Sequence, residues 1–126
     1  MPEKELKRIL IVDDDRFSQD ALRLFLQRNF NIESCDNGSY FFKILSEKKI
    51  DLILMDISIR GNKNGLDLTR EIRSNNLYKN IPVICLTAHI KKVDKMNAME
   101  AGVDIYVSKP VSNSKLLEII GGLIGK

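Results

Sequence analysis

The chain alternates short apolar runs with longer stretches of helical period. Strand-like segments lie at Ile9–Val12, Ile32–Cys35, Leu52–Met55, Val83–Leu86 and Ile105–Val107. Most are continuous rather than alternating, as expected of parallel strands covered on both faces. Between them, Phe17, Ala21, Leu24 and Phe25 fall at i, i+4, i+7 and i+8, one face of a helix. Phe41, Ile44 and Leu45 give a shorter stripe, Leu68 and Ile72 mark a third helix after Gly65, and Val93 and Met96 mark a weakly amphipathic fourth. That fourth helix should stop near Gly102, a good C-terminal cap. The strongest stripe is the last, Leu116, Ile119, Ile120, Leu123 and Ile124, with Ser112 or Asn113 placed to cap its start. Five successive β-α units predict an α/β, doubly wound parallel sheet.

The polar residues become informative once the strands are placed. In such sheets ligands bind beyond the carboxyl ends of the strands, near the point where strand order reverses. Asp13 and Asp14 follow the first strand, Asp56 the third, Thr87 the fourth, and Lys109 with Pro110 the fifth. The predicted fold therefore gathers three carboxylates, a hydroxyl and an ammonium on one rim. Carboxylates this close raise one another's pKa or drive the loops apart, and a divalent cation removes the conflict. All the donors are oxygens, so the cation is predicted to be hard; Mg²⁺ takes one or two carboxylates and keeps sites for water and phosphate oxygens. Beside it Asp56 is a candidate nucleophile that would form an aspartyl-phosphate, with Lys109 neutralising charge and Thr87 donating a hydrogen bond. Each feature alone has a plain structural explanation, an Asp after a strand being most often a helix cap. The conjunction, in order, carries the signal.

Composition narrows the setting without changing this picture. A chain of 126 residues, 44% apolar and 29% charged, fits one domain over residues 1–126 that needs no disulfide or structural metal. The net charge of +3 comes from scattered basic residues, the densest being Lys91, Lys92 and Lys95, and Arg60 with Lys63. That distribution predicts no direct nucleic-acid binding, which needs clustering along one face. Cys35 and Cys85 lie in strand-like runs without metal-ligand spacing, as reduced, buried cysteines do. The charged first eight residues lead into no signal-like apolar region, and no run approaches the roughly 18 residues of a membrane span. A soluble, cytoplasmic protein is expected.

The blocks "ILIVDDD", "DLILMDI", "NGLDLTREIR", "IPVICLTA" and "EAGVDIYVSKP" resemble the receiver domain of two-component response regulators, including the single-domain chemotaxis regulators, over essentially the whole chain. The resemblance implies a flavodoxin-like (βα)5 fold with strand order 2-1-3-4-5. It implies that Asp56 accepts a phosphoryl group from a histidine kinase or histidine phosphotransfer protein. Asp14 would ligate Mg²⁺ directly, Asp13 through water, and the backbone carbonyl of Ser58 would be a further ligand beside Asp56. Lys109 would pair with a phosphoryl oxygen, Thr87 would swing towards it, and Tyr106 would turn inwards behind it. That would switch the surface of the fourth helix, fifth strand and fifth helix for protein–protein output, onward phosphotransfer or dimerisation. The Lys109–Pro110 bond would be cis. Ser58 and His89 would tune the lifetime of the phosphorylated state. On this reading the chain is a phosphoacceptor rather than an enzyme, catalysing only its own phosphorylation and dephosphorylation.

One loop departs from the family. In "DISIRGNKNG", Ile59-Arg60 stands where most members carry Met-Pro, and Gly65 comes one residue later. Two rival readings stay beside the first. An aspartate-nucleophile phosphatase would want an acid two residues after Asp56, where Ser58 stands. A module of this fold that binds without phosphorylation would have no need of Asp13, Asp14, Asp56, Thr87 and Lys109 together. The final helical stripe runs to the end of the chain, so either a stand-alone regulator or a receiver excised from a larger protein fits. The cognate kinase and the target of the output are not encoded in these motifs.

Overall fold

The structure is a computed structural model describing residues 6–57, 59, 61–88 and 92–125. The strands are β1 (Arg8–Val12), β2 (Asn31–Cys35), β3 (Leu52–Met55), β4 (Val83–Thr87) and β5 (Ile105–Ser108). They alternate with helices α1 (Arg16–Leu26), α2 (Gly38–Glu47), α3 (Gly65–Arg73), α4 (Lys92–Ala101) and α5 (Asn113–Ile124). All strands pair in parallel, in the order β2-β1-β3-β4-β5. This is the expected doubly wound, flavodoxin-like order, with the reversal between β1 and β3.

The unbroken apolar runs are explained by two covered faces. Leu10, Val12, Ile53, Met55, Val83 and Cys85 point into a cluster closed by Phe41 and Leu45 of α2, Leu68 and Ile72 of α3, and Ala98 and Ala101 of α4. Their neighbours Ile9, Ile11, Leu52, Leu54, Ile84 and Leu86 point the other way, onto Leu26 of α1 and Leu116 and Ile120 of α5. Each fully buried aliphatic side chain contributes about 1.5–3 kcal/mol, so neither face tolerates a polar substitution in the central strands. Helix starts are set by side-chain caps. Asp15, Asn37, Asn64 and Ser112 each accept a backbone N–H from the first turn of α1, α2, α3 and α5. Among the described residues, no helix is long and apolar enough to cross a membrane.

Two helical faces differ from the sequence expectation. On α1, Phe17 is 84% exposed and Leu24 70%, while the inward line is Leu22, Phe25 and Leu26. Polar contacts set this rotation: Gln19 Nε2 donates to the carbonyls of Asp13 and Cys35, which fixes the polar side of the first turn against the sheet edge. On α4, Met96 faces solvent, and the buried positions are the small side chains of Ala98 and Ala101. The side chain of Val93 lies outside the description.

Candidate phosphoacceptor site

The three consecutive aspartates after β1 have three different environments. Asp15 is the N-cap of α1, its carboxylate accepting from the Phe17 N–H and the Ser18 hydroxyl. Asp13 is buried at 3% exposure, its Oδ1 accepting from the Asp15 N–H at 2.9 Å. Asp14 lies between them, exposed. Asp13 is held at the sheet edge by its own N–H, which donates to the Cys35 carbonyl at 3.1 Å.

Asp56 enters from β3, its N–H donating to the Val12 carbonyl at 2.8 Å. Carboxylate oxygens of Asp13, Asp14 and Asp56 come within 4.8 Å of one another. Lys109, from the end of β5, reaches into this group: its Nζ lies 3.1 Å from Asp13 Oδ2 and 3.6 Å from Asp56 Oδ2. Its backbone N–H donates to the Thr87 carbonyl at 2.8 Å, tying the ends of β4 and β5 together. Thr87 is fully buried. The Lys109–Pro110 bond is cis, as expected. Among the described residues, Lys109 offsets part of the charge of the three carboxylates. An all-oxygen carboxylate cluster suits a hard divalent cation, so the residues fit Mg²⁺.

The longer loop after Asp56 still delivers its glycine. Gly65 N–H donates to the Ile57 carbonyl at 2.8 Å, and a Cβ on Gly65 would stand 2.0 Å from the Asp56 carbonyl oxygen. Glycine is required here by close approach to the backbone of the candidate acceptor. The capping box of Asn64 and Asp67 and the Lys63–Glu71 ion pair at 2.8 Å hold the incoming loop to α3. Ile59 packs partly buried against the core. Ser58, Arg60 and His89 lie outside the described residues.

Behind the rim, Tyr106 is half-buried beside Cys85, its cross-strand neighbour. Burial, then Cys85 and Asp94, raise its phenol pKa. The Cys85 thiol is pushed up to about 12 by burial first, then by Asp56 and Asp94. Burial likewise pushes Cys35 up to about 12. Both are free, neutral packing groups at physiological pH, as their sequence context predicts. Sequence reasoning missed Gln19 and Asp94. Gln19 stands one turn after the Asp15 cap, on the side of α1 away from the Phe17–Phe25 stripe, and the charge of Asp94 reaches Cys85 and Tyr106 only through tertiary packing.

A family model described as "Response regulator receiver domain" matches residues 9–121. The chain belongs to the response regulator receiver domain family. This receiver is 34% identical over 119 residues to the transcriptional regulatory protein GltR of Pseudomonas aeruginosa, covering 94% of the chain and 49% of GltR. It is 36% identical over 109 residues to the aerobic respiration control protein ArcA of Escherichia coli K12, covering 86% of the chain and 44% of ArcA. The receiver thus spans about half the length of these curated relatives. Among solved structures it is similar to the receiver domain of the sensor histidine kinase PA1611 of Pseudomonas aeruginosa PAO1, with a TM-score of 0.86 and 28% identity, covering 96% of this chain and 99% of that one. That structure holds a magnesium ion in its active-site cleft. Receiver domains of this family are phosphoacceptors in two-component signalling and work with histidine kinases or phosphotransfer proteins.

Proposed function

We propose that Asp56 of this receiver takes a phosphoryl group from a phosphohistidine, at a Mg²⁺ site made by Asp13, Asp14 and Asp56. The observation that carries the reading is the position of Lys109 Nζ between Asp13 and Asp56, which joins the ends of β1, β3 and β5 in one charged cleft. In the transfer, an Asp56 carboxylate oxygen attacks phosphorus as the phosphorus–nitrogen bond breaks; the imidazole leaves with the bonding pair and takes a proton. Bound Mg²⁺ supplies charge neutralisation for the incoming phosphoryl oxygens. Lys109 pairs with one of those oxygens, and the Thr87 hydroxyl donates to another. Tyr106 follows Thr87, and α4, β5 and α5 present the altered surface for protein contact, self-association or onward transfer.

The donor has a natural approach. Phe17, Ala21 and Leu24 form an exposed stripe on α1, which begins directly after the acidic residues. An apolar ridge beside the acceptor suits an amphipathic helix carrying the phosphohistidine. A charged residue at Leu24 should then slow transfer from a donor protein and leave reaction with acetyl phosphate unchanged.

The deciding experiment is intact-mass measurement after incubation with acetyl phosphate and Mg²⁺. One phosphoryl group per chain is expected, absent in Asp56→Asn and after chelation. A full adduct on Asp56→Asn would overturn the assignment, and multiple turnover of an aryl phosphate would favour the phosphatase.

A further inference from the structure

At the opposite end of the sheet, Arg73 makes a contact set that site chemistry does not account for. It is the last residue of α3. Its Nε donates to the Gly102 carbonyl at 2.8 Å, and one terminal nitrogen donates to the carbonyls of Lys79 at 3.0 Å and Ile81 at 2.7 Å. The other terminal nitrogen pairs with Asp104 Oδ2 at 2.9 Å, and that oxygen also accepts from the Val83 N–H at 2.8 Å. One guanidinium therefore joins the end of α3, the loop into β4, the turn after α4 and the approach to β5. A planar fork with five donors can bind acceptors from several chain segments at once; a lysine ammonium cannot reproduce that geometry.

The segments gathered here are the roots of the elements that carry Thr87, Tyr106 and Lys109. The C-terminus of α4 is itself closed by a Schellman pattern: the Gly102 N–H donates to Met99 O and the Val103 N–H to Ala98 O. Gly102 holds φ +109, and a Cβ there would meet Arg73 Cγ at 2.8 Å, so helix end and guanidinium fit against each other. Along the described side chains of α4, burial comes from Ala98 and Ala101, both near this anchored end. Small side chains make few dispersion contacts and hold a helix weakly against sliding or rotation. α4 is thus clamped at Gly102, where its Schellman turn meets the Arg73 guanidinium, and this end can serve as a pivot.

The geometry points to Arg73 as a positioning residue for the switch: it fixes the base of α4, β4 and β5, so that a change at Thr87 becomes rotation of α4 about Gly102 and movement of Tyr106. This inference rests on the phosphoacceptor reading. Without the clamp, a phosphoryl group at Asp56 would perturb the rim locally and the displacement would dissipate in the loops.

The test uses beryllofluoride with Mg²⁺, followed by amide hydrogen exchange on wild type, Arg73→Met and Arg73→Lys. Wild type should show protection both around residues 12–15 and 56 and along residues 105–108, the latter by about tenfold, within the usual span of coupling between sites. Arg73→Met should keep the response at the acidic rim and lose that along residues 105–108. Arg73→Lys should fall between, and decides the question if the methionine variant does not fold. Arg73 as a scaffold residue alone would lower the thermal midpoint and leave both responses at wild-type size; that result overturns the inference. Absence of any response in wild type would instead overturn the phosphoacceptor reading beneath it.

Discussion

The two ends of the sheet use charge in opposite ways. At the amino ends of the strands, charges are matched. Asp51 accepts the Arg8 N–H at 2.8 Å, Asp104 accepts both the Val83 N–H and the Arg73 guanidinium, and Glu33 on β2 holds Arg8 and Lys48. At the carboxyl ends, Asp13, Asp14 and Asp56 crowd within 4.8 Å with Lys109 among them. Matched charges satisfy backbone groups and lock loops. Crowded like charges raise the energy of the folded state, and a cation bound among them relieves it. The contrast points to function at the crowded end: the three carboxylates gathered there beside Lys109 are the donor set of a hard cation, whereas those of the other end are engaged by backbone N–H groups and basic side chains.

Removing a carboxylate should therefore have opposite effects on stability at the two ends. The largest loss is expected from Gly65→Ala, whose Cβ would stand 2.0 Å from the Asp56 carbonyl oxygen. Overpacking against backbone should cost about 3 kcal/mol in urea unfolding and displace the acceptor, so phosphorylation by acetyl phosphate should fall with stability. A wild-type-like midpoint would show that the loop absorbs the methyl group.

Asp104→Ala comes next. It strips the Arg73 guanidinium of its carboxylate and the Val83 N–H of its acceptor. A loss of about 2 kcal/mol is expected, moderated because Asp104 is partly exposed. Urea unfolding in EDTA measures it.

At the acidic end the same kind of change should run the other way. Asp13→Asn keeps an acceptor for the Asp15 N–H and removes one of the crowded charges. In EDTA the variant should match wild type or exceed it by about 1 kcal/mol, and the stabilisation by Mg²⁺ expected of wild type should be lost. A destabilisation equal to that of Asp104→Ala would erase the contrast between the ends.

The smallest effect calibrates the others away from both ends. Gly122 sits in α5, exposed, and a Cβ there meets nothing within 4 Å. Gly122→Ala should stabilise by about 0.5–1 kcal/mol, the helix-propensity difference, with no change in phosphorylation.

Much of this molecule was readable in one dimension. Each strand and helix carries its pattern locally, because a sheet covered on both faces needs continuous apolar runs and the connecting helices need stripes. The expected strands agree with β1 to β5 to within a residue at each end. That the side chains of Asp13, Asp14, Asp56 and Lys109 would meet was legible, because strand ends in such a sheet converge on one rim.

The order of β-α units and the residue types at the strand ends follow from local pattern alone, through short-range period and the position where each apolar run stops. Tertiary structure alone decided the rest. The rotation of α1, which turned Phe17 and Leu24 outwards, depends on Gln19 reaching the carbonyls of Asp13, just beyond β1, and Cys35, at the end of β2. The division of labour in Asp13-Asp14-Asp15 depends on which carboxylate finds the α1 N-terminus and which finds Lys109. The Arg73 clamp joins Gly102 and Asp104 across about 30 residues of chain. These choices are set by hydrogen bonds between segments far apart in sequence, and no local period records them.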